Sequence, residues 1–176
     1  MKILLLTAAT GGGHIRAAAA IEKHLRDNCP GIEVKTEDAF KTISSIFDKT
    51  ICDGYHFLAT KAPKMFGKLY ESTNQESHFA SLVPKLSGIF RRRLLPSILE
   101  FDPDVIITTH PFVTEMISCL KEDGKVSALL LCVMTDYGPH KSWVSPAVDA
   151  YIVSNEDMME TMVRHMGVPR EKIFPF

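Results

Sequence analysis

An apolar hexapeptide, Lys2 to Thr7 (KILLLT), runs into three consecutive glycines, Gly11-Gly12-Gly13, and then into the alanine-rich stretch His14 to Asn28. No other feature of the chain constrains its fold as tightly. The unbroken apolar centre of the hexapeptide suits a strand buried on both faces of a parallel sheet. The glycines allow a tight turn, and the alanines favour a helix. Ile15, Ala18, Ile21 and Leu25 fall at roughly helical spacing, and Asn28-Cys29-Pro30-Gly31 ends the run. Ile32 to Thr36 then alternates, with Ile32, Val34 and Thr36 on one face, as a second strand. Strand, glycine turn, helix and strand together form the opening of a doubly wound α/β fold.

The same rhythm returns after residue 100. Strands are expected at Asp104 to Thr108, Ser127 to Met134, Ala150 to Val153 and from Ile173 onward. Helices are expected at Pro111 to Glu122, with proline in the first turn, and at Glu156 to Met166, stopped by Gly167. The middle is less regular. Phe40 to Asp53 reads as helix, and Pro63 and Gly67 interrupt Gly54 to Tyr70. Phe79, Leu82, Val83, Leu86, Ile89, Phe90, Leu94 and Ile98 keep helical spacing over a long segment that Pro84 and Pro96 are expected to kink or divide.

The 176 residues suffice for one domain or one large lobe, and 45% hydrophobic with 23% charged residues is a globular composition. No stretch reaches the roughly 18 apolar residues of a membrane span, and the first apolar run is too short for a signal-peptide core, so a cytoplasmic protein is expected. Cys29, Cys52, Cys119 and Cys132 have no metal-ligand spacing and read as reduced packing residues. A net charge of −1 argues against nucleic-acid binding.

The glycine turn presents the free N–H groups and positive dipole end of a helix to an anion or polar oxygen. It is not the dinucleotide fingerprint, because Arg16 occupies the third glycine position, nor a P-loop, because no Gly-Lys-Ser/Thr follows. The bland alternative is a turn needed only for chain reversal. His14, at the helix start, tends to stay neutral beside the dipole and suits a general base for an alcohol; its alternative is a capping or packing role. Two further strands end in Thr109-His110-Pro111-Phe112 and in Thr135-Asp136-Tyr137-Gly138-Pro139-His140, followed by Trp143. Parallel strands place all these ends on one edge, so His14, His110, Asp136 and His140 are expected to converge there. A metal site is the rival for such a set. Asp136 and His140 are four apart, but Gly138-Pro139 argues against a helix between them, and spacing gives a metal little support. Singly, His110 also reads as a helix cap, Asp136 as a turn residue and Trp143 as core. No metal or cofactor is expected.

Charge is unevenly spread. Gly54 to Leu99 carries seven basic residues against two acidic ones, a local +5, while the remainder holds thirteen against nineteen, −6. Phe57, Phe66 and other apolar residues interleave with Lys61, Lys64 and Lys68 across residues 55–70, a pattern suited to an anionic membrane surface. Residues 79–101, including Arg91-Arg92-Arg93, read instead as a core helix with a solvated basic face.

The ordered set Thr10-Gly11-Gly12-Gly13-His14, Thr109-His110-Pro111-Phe112 and Thr135-Asp136 with His140 and Trp143 resembles the monogalactosyldiacylglycerol synthase family, whose bacterial members include processive diacylglycerol glucosyltransferases. More remotely, the set is similar to the N-acetylglucosaminyltransferase that makes lipid II. The resemblance implies a Rossmann-like parallel sheet with helices on both faces, one lobe of a two-lobed GT-B glycosyltransferase. That lobe would bind a lipid acceptor at the inner face of the cell membrane as a peripheral protein. A UDP-sugar would be held by a C-terminal lobe that this chain lacks, so the chain is expected to be a fragment, inactive alone. Transfer would be inverting. On this resemblance Gly12, Gly13 and His14 lie at the cleft, His14 is the leading candidate for the base, and Asp136 is the second, as base or as its orienter. His110, His140 and Trp143 line or support the acceptor site. The rival functions are a non-catalytic phosphate- or nucleotide-binding module, a metal-dependent hydrolase built on the same histidines, and a lipid-surface adaptor.

Overall fold

The computed structural model describes residues 1–9, 12–44, 82–138 and 140–176, with the side chains of 44 and 82–86 outside that description. Within it the elements run β1 (Lys2–Thr7), α1 (Gly12–Asn28), β2 (Glu33–Asp38), α2 (Ala39–Ser44), α3 (Leu82–Phe101), β3 (Val105–Thr108), α4 (Pro111–Glu122), β4 (Leu129–Val133), a 3-10 turn (Lys141–Trp143), β5 (Ala150–Val153), α5 (Glu156–Met166), a second 3-10 turn (Arg170–Lys172) and β6 (Ile173–Pro175). The strands form one parallel sheet in the order β2-β1-β3-β4-β5-β6. The expected α/β class, Rossmann-like with helices on both faces, is what the chain adopts.

Strand order reverses between β1 and β3. The chain leaves β1 through α1 toward β2, then returns past β1 to build β3 through β6. Right-handed crossovers put α1 on one face of the sheet and the later helices on the other. The larger core lies on that second face, where Leu4, Leu6, Ile106, Leu130, Cys132, Tyr151 and Val153 meet Phe90, Leu94 and Ile98 of α3, Met116 and Ile117 of α4, and Met162 of α5. Ile3, Leu5, Val34 and Ile107 form a smaller core beneath Ile21 and Leu25 of α1. On the α1 side the described residues leave the outer strands partly exposed. Leu129 is 54% exposed and Phe174 51%, and a groove of about 690 Å³ runs between Ala17, Ala20 and Ile21 of α1 and Leu131, Val133 and Ile152 of the sheet.

Helix ends follow the sequence. Asn155 caps α5, its side chain accepting the Met158 N–H at 2.8 Å, and Gly167 closes the helix in the left-handed conformation at φ 69°. The prolines of α3 are the exception. Leu82–Phe101 is one helix containing both. Pro84 is its third residue, where an N–H has no intrahelical partner to lose. Pro96 does cost a hydrogen bond, but buried Phe90, Leu94 and Ile98 hold both sides of it against the sheet.

The expected helix Phe40 to Asp53 is described only as far as Ser44. Residues 79–81 of the expected long helix and all of 55–70, with Phe57, Lys61, Lys64, Phe66 and Lys68, lie outside the described residues. No helix among the described residues is long and apolar enough to cross a membrane.

Candidate active site

The carboxyl ends of β1 and β3 adjoin at the point where strand order reverses, the place where open α/β sheets bind ligands. β1 delivers the start of α1. Thr10 and Gly11 lie outside the described residues, and α1 begins at Gly12. Gly12 and Gly13 are exposed, and neither has a positive φ. A Cβ on Gly13 would meet nothing within 4 Å, and one on Gly12 only the end of the Arg16 side chain at 3.8 Å. Packing within the described chain therefore does not demand glycine at either position. What they leave is open space above the free N–H groups of the helix start.

His14 follows, half-buried, with its ring turned toward the sheet. Its Nδ1 lies 2.5 Å from the carbonyl oxygen of Thr109 and 2.9 Å from the hydroxyl of Thr135. A carbonyl oxygen only accepts, so Nδ1 carries the proton and donates it. In the neutral ring that leaves the lone pair on Nε2. Thr109 is itself fixed on every side. Its N–H donates to the Leu6 carbonyl at 3.3 Å, and its hydroxyl lies 2.9 Å from the Thr7 hydroxyl and 3.1 Å from the His14 carbonyl.

His110 stands edge-on to His14, with ring centroids 4.7 Å apart. It caps α4 from extended backbone, its Nδ1 accepting the Phe112 N–H at 3.2 Å, with Pro111 in the first turn. Burial, and then repulsion from His14, push its pKa down to about 3. The ring is neutral at any physiological pH, with its proton on Nε2. Phe40 of α2 packs against the same ring at 5.9 Å.

Asp136 and Trp143 form a separate pair. The indole Nε1–H donates to Asp136 Oδ2 at 2.7 Å. Trp143 is fully buried, its ring 6.2 Å from that of His14, whereas Asp136 is exposed. The exposed His140 caps the 3-10 turn, accepting the Ser142 N–H at 3.2 Å. His14, His110 and Trp143 are thus brought together. Among the described residues Asp136 reaches them only through the indole, and Thr109 and Thr135 hydrogen-bond to His14. Among the described residues no three or more His, Cys, Asp or Glu side chains are grouped to hold a metal ion. Neither threonine stands out in the sequence, because Thr109 acts through a backbone carbonyl, which has no residue-type signature, and Thr135 through one of many threonine hydroxyls. Their position at the ends of β3 and β4 was the available signal.

This edge holds the His14 ring by its Nδ1–H beside the start of α1, where the first N–H groups have no intrahelical partner. Residues 14–176 match the family model described as monogalactosyldiacylglycerol (MGDG) synthase. The chain is similar to a processive diacylglycerol beta-glucosyltransferase of Bacillus cereus (strain B4264), 30% identical over 178 residues covering 98% of this chain and 43% of the relative. Proteins of the same description from Staphylococcus carnosus (strain TM300) and Staphylococcus saprophyticus are 28% and 25% identical, each over 98% of this chain and 42% of the relative. The chain thus spans less than half the length of the curated relatives it matches.

Proposed function

The chain belongs to the monogalactosyldiacylglycerol synthase family, and from that membership and the geometry around His14 we propose that it is the acceptor-binding lobe of an inverting glycosyltransferase. The proposed reaction moves a hexose from a UDP-sugar to a diacylglycerol-type lipid. The observation that carries the reading is the 2.5 Å contact of His14 Nδ1 with the Thr109 carbonyl, which requires the proton on Nδ1 and leaves Nε2 to act as base.

In this reaction the acceptor hydroxyl oxygen attacks the anomeric carbon from the face opposite the leaving group. The new C–O bond forms as the bond to UDP breaks, and the configuration inverts. The hydroxyl proton passes to His14 Nε2, and the resulting imidazolium keeps its Nδ1–H on the Thr109 carbonyl, whose partial negative charge stabilises it. His110 stays neutral beside it, so no second positive charge opposes the proton transfer. Asp136 acts through Trp143, fixing the wall behind His14, and His140 shapes the turn that carries Trp143. Gly12 and Gly13 leave room for the acceptor headgroup. The UDP-sugar is held by a second, nucleotide-binding lobe outside this chain, facing the same edge.

The family resemblance and the basic, aromatic composition of residues 55–70 support contact with an anionic membrane surface at the inner face of the cell membrane, through Phe57, Lys61, Lys64, Phe66 and Lys68. Neither a cofactor nor nucleic acid has a part in the scheme.

The test is transfer by a polypeptide joining this lobe to a donor lobe, supplied with a labelled UDP-hexose and diacylglycerol. Labelled glycolipid of inverted anomeric configuration is expected. Binding of phosphate or nucleotide to the 176-residue chain, with no transfer to any lipid by the joined polypeptide, would replace this reading with a non-catalytic binding module.

A further inference from the structure

We infer that Thr135 is a positioning residue for His14, fixing the direction of the imidazole whose Nδ1–H the Thr109 carbonyl demands. The inference rests on the acceptor-site reading only for its consequence in catalysis; the contact itself stands on the geometry.

A neutral histidine side chain in water favours the opposite tautomer, with the proton on Nε2. The Thr109 carbonyl, which can only accept, holds the less favoured form, but one contact fixes the direction of the ring poorly. A single hydrogen bond to the Thr109 carbonyl leaves the ring free to rock about it. The Thr135 hydroxyl, 2.9 Å from the same Nδ1, supplies a second acceptor from another strand end. Thr109 reaches the nitrogen from the end of β3 and Thr135 from the end of β4, so the N–H is bracketed by both.

Thr135 is well placed for this because the residues either side of it are tied down. The Met134 N–H donates to the Ile152 carbonyl at 3.0 Å, extending the pairing of β4 with β5, and the Met134 side chain is buried. On the other side Asp136 is clamped to the Trp143 indole. The hydroxyl thus stands on rigid backbone, as a group that fixes a reactive ring must. With Nδ1 donating, Thr135 accepts here, and its own O–H proton remains available to another group.

Two measurements test the assignment. In the 176-residue chain with ¹⁵N-labelled histidine, the His14 ring is expected to show a protonated Nδ1 and a pyridine-type Nε2. Thr135→Val, which keeps the shape and removes the hydroxyl, is expected to keep the Nδ1-protonated pattern, which the carbonyl sets, but to broaden the His14 ring resonances as the ring gains freedom, and Thr135→Ser to retain the wild-type line widths. In the joined two-lobe polypeptide, Thr135→Val is expected to lower kcat about five- to tenfold, the effect of one hydrogen bond, with KM for the lipid unchanged. Thr135→Ser is expected to restore most of it. Thermal melts check that both variants fold. His14 ring resonances as sharp as wild type in Thr135→Val overturn the assignment, as does equal impairment of the valine and serine variants. If the ring resonances broaden as expected while the joined polypeptide transfers no sugar, Thr135 still positions His14 and the glycosyltransferase reading falls.

Discussion

His14 Nδ1 and the carbonyl oxygen of Thr109 meet at 2.5 Å although 95 residues separate them in the chain. The contact spans the reversal of strand order, joining the helix that follows β1 to the end of β3. The site and the fold are therefore held by the same bond: α1 cannot shift along the sheet without releasing the imidazole. The Thr109 hydroxyl reinforces this by reaching both Thr7 and the His14 carbonyl.

Acid should weaken the fold through His110. Its pKa is about 3 in the folded chain against an ordinary 6.5, so between those values the unfolded chain binds a proton that the folded one does not. Stability then rises with pH across the window and falls as pH is lowered, by up to about 1.4 kcal/mol per unit. His110→Asn keeps a helix cap and removes the titration. Urea unfolding between pH 6.5 and 5 should show a shallower loss for this variant. That range lies above the protonation of Glu37 and Asp149, both held below their usual carboxylate values in part by hydrogen bonds. Parallel curves for wild type and variant would show that His110 does not carry the acid sensitivity.

The bond from Trp143 to Asp136 can be read optically, because Trp143 is the chain's one tryptophan. Asp136→Ala leaves the indole N–H without its carboxylate and should cost about 1–2 kcal/mol, with a change in the fluorescence maximum. Asp136→Asn keeps an acceptor and should cost less. Equal losses would mean that the carboxylate's charge, and not its hydrogen bond, sets the stability.

Adjacent leucines on β4 should respond in opposite ways. Leu130 is fully buried in the larger core and Leu129 is 54% exposed on the open α1 side. Leu130→Ala should destabilise the chain by about 3 kcal/mol through lost burial and a residual cavity. Leu129→Ala should stay within about 0.5 kcal/mol. Chemical denaturation of the two variants measures the difference directly. Comparable losses would mean that the outer face of β4 is covered in solution.

Much of this was legible from residues 1–38 and 104–176. β1, β3, β4 and β5 are short apolar runs closed by polar residues, β2 shows alternation instead, and α4 and α5 carry their own proline, cap and glycine signals. The convergence of His14 with His110 followed from one topological rule about strand ends. Pairwise partners were not legible. That Asp136 would serve Trp143, and that Thr109 and Thr135 would serve His14, depends on side-chain directions that strand-end proximity leaves open. Helical spacing runs through Pro96 in the sequence, where local proline chemistry allows a kink or a division; the helix is not divided, and buried residues hold it on either side.

Membrane contact is a separate proposal with its own measurement. Lys61→Glu, Lys64→Glu and Lys68→Glu together should weaken binding to vesicles containing anionic phospholipid, each lysine near the surface contributing about 1 kcal/mol. Sedimentation with such vesicles reads the loss. Unchanged binding would remove residues 55–70 from the interface.

The central claim is that His14 is the base for the acceptor hydroxyl, and its most direct test is His14→Ala in the joined two-lobe polypeptide. Transfer of hexose from the UDP-sugar to diacylglycerol should fall by about a hundredfold or more, with UDP-sugar binding unchanged. Transfer at the wild-type rate in a folded His14→Ala variant would contradict the account.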